Sequence, residues 1–196
     1  MNFMRIHQLS FSHDREQDRI LVRINSTEGD EFRLWLTRRL SIQLLPLLDK
    51  VLADQLAKSG APEVSHLIGA DDDTKRLMTE FQSSNAIKDA DFSTPYDGAA
   101  RNLPLGAHPL LVTEISFKPL RPDVLEVLFT EGIKQEPGRE PRQLRLNMDM
   151  KLSHSFGHML RGCYAKAQWG ESGVSVGAAT APKAQEMAEV KPRYLN

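Results

Sequence analysis

One cysteine, Cys163, is the only thiol this chain has, so an intrachain disulfide and a zinc site built from several thiolates are both excluded. Long apolar runs are missing too: nowhere do about 18 apolar residues follow one another, and the opening Met1-Asn2-Phe3-Met4-Arg5-Ile6-His7 lacks the hydrophobic stretch of a signal peptide. A cytoplasmic, reducing location with no membrane partner is therefore expected. There is no excess of either charge. Lys and Arg number 25 against 26 Asp and Glu, for a net charge of -1, so no global field drives binding to phosphate backbones or anionic lipid. Any nucleic-acid contact has to be local.

Catalytic motifs are also wanting. The sequence holds no Walker loop, Gly-x-Gly-x-x-Gly turn or His-Glu-x-x-His helix. Catalysis is not expected, and no cofactor or metal is expected.

What the chain does have is a repeat, and it shapes the expected fold. The stretch from Phe32 to Ser41 aligns with Leu144 to Ser153 at a constant offset, 144 minus 32, which is 112. Apolar residues coincide at 32/144, 34/146, 36/148 and 40/152, while Arg33/Arg145 and Ser41/Ser153 are identical. Upstream, Leu9-Ser10-Phe11 matches Ile115-Ser116-Phe117, and Thr27-Glu28-Gly29 matches Thr130-Glu131-Gly132. The offset changes only across Gly- and Pro-bearing turns, where surface loops tolerate length variation.

Each copy reads as three strands and a helix. Phe32, Leu34 and Leu36 alternate with Arg33, Trp35 and Thr37, the period-2 pattern of a strand with one buried face, and Leu144, Leu146 and Met148 repeat it. Second strands are expected near 19–25 and 123–130, first strands near 4–12 and 110–118. Short connections imply antiparallel pairing. The helix after each third strand carries an apolar stripe, Leu40, Leu44, Leu47, Leu48 and Val51 in one copy and Leu152, Phe156, Met159, Leu160 and Cys163 in the other. Pro46 bends the first of these helices or marks its first turn.

The predicted class is thus α+β: an internally duplicated β-β-β-α unit, antiparallel sheet or sheets with one packed helix per copy, plus a helix between the repeats. The expected organisation is a first copy over 1–59, an acidic helical and irregular connection over 60–109, a second copy over 110–169 and a flexible tail over 170–196. The connection holds a helix over 74–90 behind Asp71-Asp72-Asp73, then a stretch punctuated by Pro95, Gly98, Pro104, Gly106 and Pro109. The tail is rich in Gly, Ala, Ser, Lys and Pro, and disorder is its compositional default.

Several residues of chemical interest read as ordinary packing or solvation. His154 and His158 stand four apart, a spacing able to place two imidazoles on one metal, but the wheel sets them opposite the apolar stripe beside Arg161, so a solvated helix face is favoured. Cys163 falls on the stripe and reads as core. Asp71-Asp72-Asp73 reads as helix capping, since consecutive carboxylates point in different directions.

The binding candidates are Arg23, Arg33, Trp35, Arg38, Arg39, Tyr194 and Leu195. Trp35 points to the strand face opposite Phe32, Leu34 and Leu36, among arginines, where an aromatic stacks on a base or packs on a protein; the alternative is that another part of the chain covers it as second-side core. Tyr194 and Leu195 stand behind a spacer and suit a short anchor. The expected role is a non-catalytic protein-binding or scaffolding module, its partner another protein or a second copy of the chain. The alternative is a nucleic-acid-binding adaptor using the Arg and Trp patch of the first copy.

Overall fold

The computed structural model describes residues 4–58, 72–88, 90–91, 94–99, 102–132 and 141–169. Two antiparallel meanders, each followed by a helix, make up most of it. Strands β1 (Ile6–Asp14), β2 (Arg19–Ser26) and β3 (Glu31–Thr37) lead into α1 (Arg38–Lys58). Helix α2 (Asp72–Lys88) and a short strand β4 (Leu110–Val112) follow, then β5 (Glu114–Arg121), β6 (Val124–Thr130) and β7 (Gln143–Asp149) lead into α3 (Met150–Lys166). The class is α+β, with a four-stranded sheet ordered β1-β2-β3-β4 and a three-stranded sheet ordered β5-β6-β7.

Local chemistry sets the element ends. Asp14 accepts from the backbone N–H groups of Glu16 and Gln17, both at 3.0 Å, which closes the β1–β2 turn. Thr37 Oγ1 accepts from Leu40 N at the start of α1, and Asp149 Oδ1 accepts from Leu152 N at 2.7 Å as the N-cap of α3. Pro46 stands inside α1, well beyond its first turn.

The sequence places one strand over 110–118; the chain instead divides it at Thr113. Its first three residues pair parallel to β3, Leu34 opposite Leu110 and Leu36 opposite Val112, while the remainder pairs antiparallel with β6. Thr113 makes the break through its own bonds: its N–H donates to Thr130 O at 2.9 Å, and its Oγ1 accepts from Gly132 N at 2.6 Å. A parallel neighbour is possible here because the whole of α1, α2 and the connection lies between β3 and β4, ample for a crossover.

The core is continuous between the two halves. Rows Leu9-Ile24-Phe32 and Phe11-Val22-Leu34 face it from the first sheet, and Ile115-Phe129-Leu144 and Phe117-Val127-Leu146 from the second. Helix α3 packs on β1 of one sheet and on β6 and β7 of the other, and touches both α1 and α2. Its Phe156, 2% exposed, meets Phe11 edge-on at 5.0 Å between ring centroids and Phe129 at 6.2 Å. Gly157 lets α1 come close, since a Cβ there would sit 3.3 Å from Leu48 Cδ2.

Each helix ends against the other half. Gln55 of α1 donates through Nε2 to Arg121 O beside the β5–β6 turn, at 3.0 Å. Trp169, just past α3, donates through Nε1 to Asp18 Oδ1 of the β1–β2 turn at 2.7 Å and stands edge-on to His13 and Tyr164.

The stripe of α1 is shifted from the expected one. Leu44, Leu48, Leu52 and Leu56 are buried, whereas Leu47 is 45% exposed. A larger correction concerns His154. The wheel sets it on a solvated face, yet it is 4% exposed, because α3 is enclosed by sheets and helices and every residue from Ser153 to Gly157 is buried.

Candidate functional site

The face of the first sheet turned away from the core carries the sequence-identified patch. Odd-numbered residues of β2 and β3 point there, in rows Gln8-Asn25-Glu31, Ser10-Arg23-Arg33 and Ser12-Leu21-Trp35-Leu111.

Part of this face is covered by the chain itself. Residues 95–98 lie over the Asn25 end: Gln8 Nε2 donates to Pro95 O, Asp97 N donates to Gln8 Oε1, and Asn25 Nδ2 donates to Asp97 O at 3.0 Å. Tyr96 donates its hydroxyl to Asn25 Oδ1, and the Arg23 guanidinium stacks over the Tyr96 ring at 4.4 Å.

Beneath that cover sits Glu31, its side chain 1% exposed. Arg23 donates to it from Nε at 2.9 Å and Nη2 at 3.2 Å, and Arg33 donates from Nε at 2.6 Å. Burial alone pushes the Glu31 carboxyl up, but the bonds and charges of the two arginines outweigh it and hold the group below its ordinary value. The Glu31 bond in turn raises Arg23. One carboxylate thus answers two guanidiniums, which ties up the donors of Arg23 and Arg33 that face it and leaves one positive charge unbalanced.

The other end of the face is more open. Trp35 is half-buried, flanked in register by Leu21 on β2 and Leu111 on β4, both half-buried, with exposed Ser12 completing the row. None of these three apolar side chains belongs to the core or packs against it. Arg38 approaches Asp18 at 4.0 Å, and Arg39 is exposed on the first turn of α1. Tyr194 and Leu195 lie outside the described residues.

The structure therefore brings Arg23, Arg33 and Trp35 onto one face. Sequence reasoning missed Glu31, Tyr96, Leu21 and Leu111. The last two left a signal: Ile20-Leu21-Val22 and Leu110-Leu111-Val112 are apolar without alternation, which marks strands with apolar side chains on both faces.

The remaining candidates are apart. His158 is exposed while His154 is buried, and among the described residues no three His, Cys, Asp or Glu side chains are grouped to hold a metal. Asp71 lies outside the described residues. Burial pushes the Cys163 thiol up, away from the thiolate a nucleophile needs.

His154 carries an expected pH effect. Burial first, then the charge of Arg161, lower its pKa against a smaller opposing pull from Asp49. Its Nε2 is buried with no hydrogen-bond partner. A group whose folded pKa is depressed binds protons more readily unfolded, so stability is lost as pH falls below the ordinary histidine value of about 6.5 toward the lowered one. Thermal melts at pH 7.5 and 5.5 are expected to show a drop that His154→Leu reduces; an unchanged difference would remove this account of His154.

No helix among the described residues is long and apolar enough to cross a membrane. Comparison with known proteins finds no matching family model, no matching curated protein and no matching solved structure.

Proposed function

We propose that the chain is an internally duplicated β-β-β-α module that binds another protein through the outer face of its first sheet, around Trp35. In this reading residues 1–59 and 110–169 are the two copies, joined by 60–109 and followed by a tail.

Strand register supports the duplication. Rows Leu9-Ile24-Phe32, Phe11-Val22-Leu34 and His13-Ile20-Leu36 correspond to Ile115-Phe129-Leu144, Phe117-Val127-Leu146 and Pro119-Leu125-Met148. The shifts between corresponding residues are constant along each strand: 115 minus 9 is 106 for the first, 129 minus 24 is 105 for the second and 144 minus 32 is 112 for the third. The same 112 separates Asp49 of α1 from Arg161 of α3, which form an ion pair. A residue can touch its own counterpart only next to a two-fold axis. In two identical chains that place would hold two like charges, and within one chain the two positions are free to differ.

The observation that carries the binding reading is the row Leu21-Trp35-Leu111. On the second sheet Leu21 and Trp35 correspond to Glu126 and Asn147, and Leu111 has no counterpart among the described residues, so the fold has no need of apolar residues there. An aromatic with aliphatic neighbours, half-open beside a rim of arginines, has the composition of an interface centre. The pairing of Arg23 and Arg33 with Glu31 favours a protein over a nucleic acid.

The test is a photo-crosslinker at position 12, on the same row as Trp35 and two strands away, in the native cell, with Trp35→Ala as control. Trp35→Ala is expected to weaken capture of a reproducible partner by about tenfold or more, as truncation of an interface aromatic does. Unchanged capture would overturn the reading. Binding of single-stranded RNA or DNA that falls steeply with salt and is lost in Trp35→Ala would support the adaptor alternative instead.

A further inference from the structure

Residues 95–97 lie across the outer face of the first sheet in the manner of a bound peptide. Two side-chain amides hold their backbone. Gln8 donates from Nε2 to Pro95 O at 3.3 Å and accepts at Oε1 from Asp97 N at 3.0 Å, imitating the N–H and C=O that a neighbouring strand presents. Asn25, 0% exposed and opposite Gln8 in register, donates to Asp97 O at 3.0 Å and accepts from the Tyr96 hydroxyl. The Tyr96 ring lies against the Arg23 guanidinium, 4.4 Å from the ring centroid. Both amides thus direct both of their polar ends at this segment. The bonds to main-chain groups accept any extended chain, whereas the tyrosine is recognised by its ring and hydroxyl together.

The second sheet does without this set of residues. Its row corresponding to Gln8-Asn25-Glu31 is Glu114-Thr130-Gln143, in which Glu114 and Gln143 are exposed. The segment is also lightly held. Thr94, Pro95, Asp97, Gly98 and Ala99 are exposed and Tyr96 is half-buried, so a few hydrogen bonds of modest net strength have to offset the ordering of the backbone. Contacts on either side do not depend on it: Asp91 Oδ1 accepts from Thr94 N, and Asn102 is bonded to Gly29, Asp30 and Glu31. Residues 95–98 can therefore lift from the sheet while Asn102 stays in place.

We propose that the Gln8, Arg23 and Asn25 end of this face is a peptide-binding site for an extended segment carrying a tyrosine. Pro95-Tyr96-Asp97 occupies the site in cis, and an incoming segment of the same chemistry displaces it. Because the cis segment is tethered on both sides, its effective concentration at the site is high, and it acts as a competitor that a partner has to outbind. This end of the face lies two rows, about 13 Å, from Trp35, and neither reading depends on the other.

The probe is a capped, dye-labelled hexapeptide, Thr-Pro-Tyr-Asp-Gly-Ala, the sequence of residues 94–99, titrated by fluorescence anisotropy. Tyr96→Ala in the full chain weakens the competitor and is expected to bind the hexapeptide about tenfold or more tighter than the parent chain does. Adding Gln8→Ala to that variant is expected to lose the gain, since both of its main-chain bonds go. A hexapeptide with alanine in place of its tyrosine should bind Tyr96→Ala about tenfold or more weakly. The proposal is overturned by no saturable binding to Tyr96→Ala, by equal affinity of variant and parent, by equal affinity for the two peptides, or by binding that survives Gln8→Ala. The parent chain gives a second measurement that needs no substitution. Excess hexapeptide should speed hydrogen exchange of the Asp97 amide about threefold or more as its bond to Gln8 opens, with β6 amides unchanged. An Asp97 amide indifferent to the peptide overturns the proposal as well, and each of these failures leaves the crosslinking result at Trp35 as it stands.

Discussion

Phe156→Ala is expected to lower the free energy of unfolding by about 3–5 kcal/mol, the range for truncating a buried aromatic. The ring is 2% exposed and lies where the two sheets share one core, between Phe11 of β1 and Phe129 of β6. Losing it removes apolar burial and two ring contacts and leaves a cavity that elements on three sides would have to move to fill. The neighbours cannot all move inward at once, because α3 is already held by Trp169 at Asp18 and by Arg161 at Asp49. Urea titration followed by far-UV circular dichroism measures the loss. Leu47→Ala on α1, where the side chain is 45% exposed, is the control and should change stability by no more than about 0.5 kcal/mol. A loss near 1 kcal/mol for Phe156→Ala would mean that α3 does not bridge the two sheets.

The same crowding explains which parts of the fold were legible. Strands that alternate could be read directly: Phe32, Leu34 and Leu36 are buried, and so are Leu144, Leu146 and Met148. Phe156, Leu160 and Cys163 were found on the α3 stripe because a wheel identifies the most apolar side of a helix. It cannot say that a helix has more than one covered side. The wheel sets His154 toward solvent for that reason, and only the tertiary packing around α3 buries it. The division of the strand at Thr113 was equally hidden, since apolar spacing continues from Leu110 to Phe117 while the partner changes from β3 to β6. At the candidate site, Trp35 announced itself as an aromatic on the polar side of a strand. Glu31 did not, because an acid beside a turn ordinarily reads as solvated; its partners come from β2 and β3, and the residues that cover it come from about 65 positions further along.

Glu31→Leu is the substitution that tests this hidden centre, and it is expected to destabilise by about 2–4 kcal/mol, toward the lower part of the range for breaking a buried ion pair. The lower part applies because the side chains of Arg23 and Arg33 are 27% and 33% exposed and can turn partly to water once the carboxylate is gone. What they cannot recover is the pair of bonds that holds Arg23 beneath Tyr96, so residues 95–98 should loosen from the sheet as well. Arg33→Ala should cost less, since Arg23 keeps its two-bond grip on Glu31. The pH dependence gives an independent check. Glu31 has a folded pKa below its ordinary value, so its stabilisation is fully present above the unfolded carboxyl pKa of about 4.3 and is lost as pH falls through the folded value. The gap in unfolding free energy between the parent chain and Glu31→Leu should therefore stay constant from pH 7 to about pH 5 and narrow below that. A gap that is already closed at pH 7, or that does not narrow in acid, would mean that Glu31 is not the anion holding these two arginines.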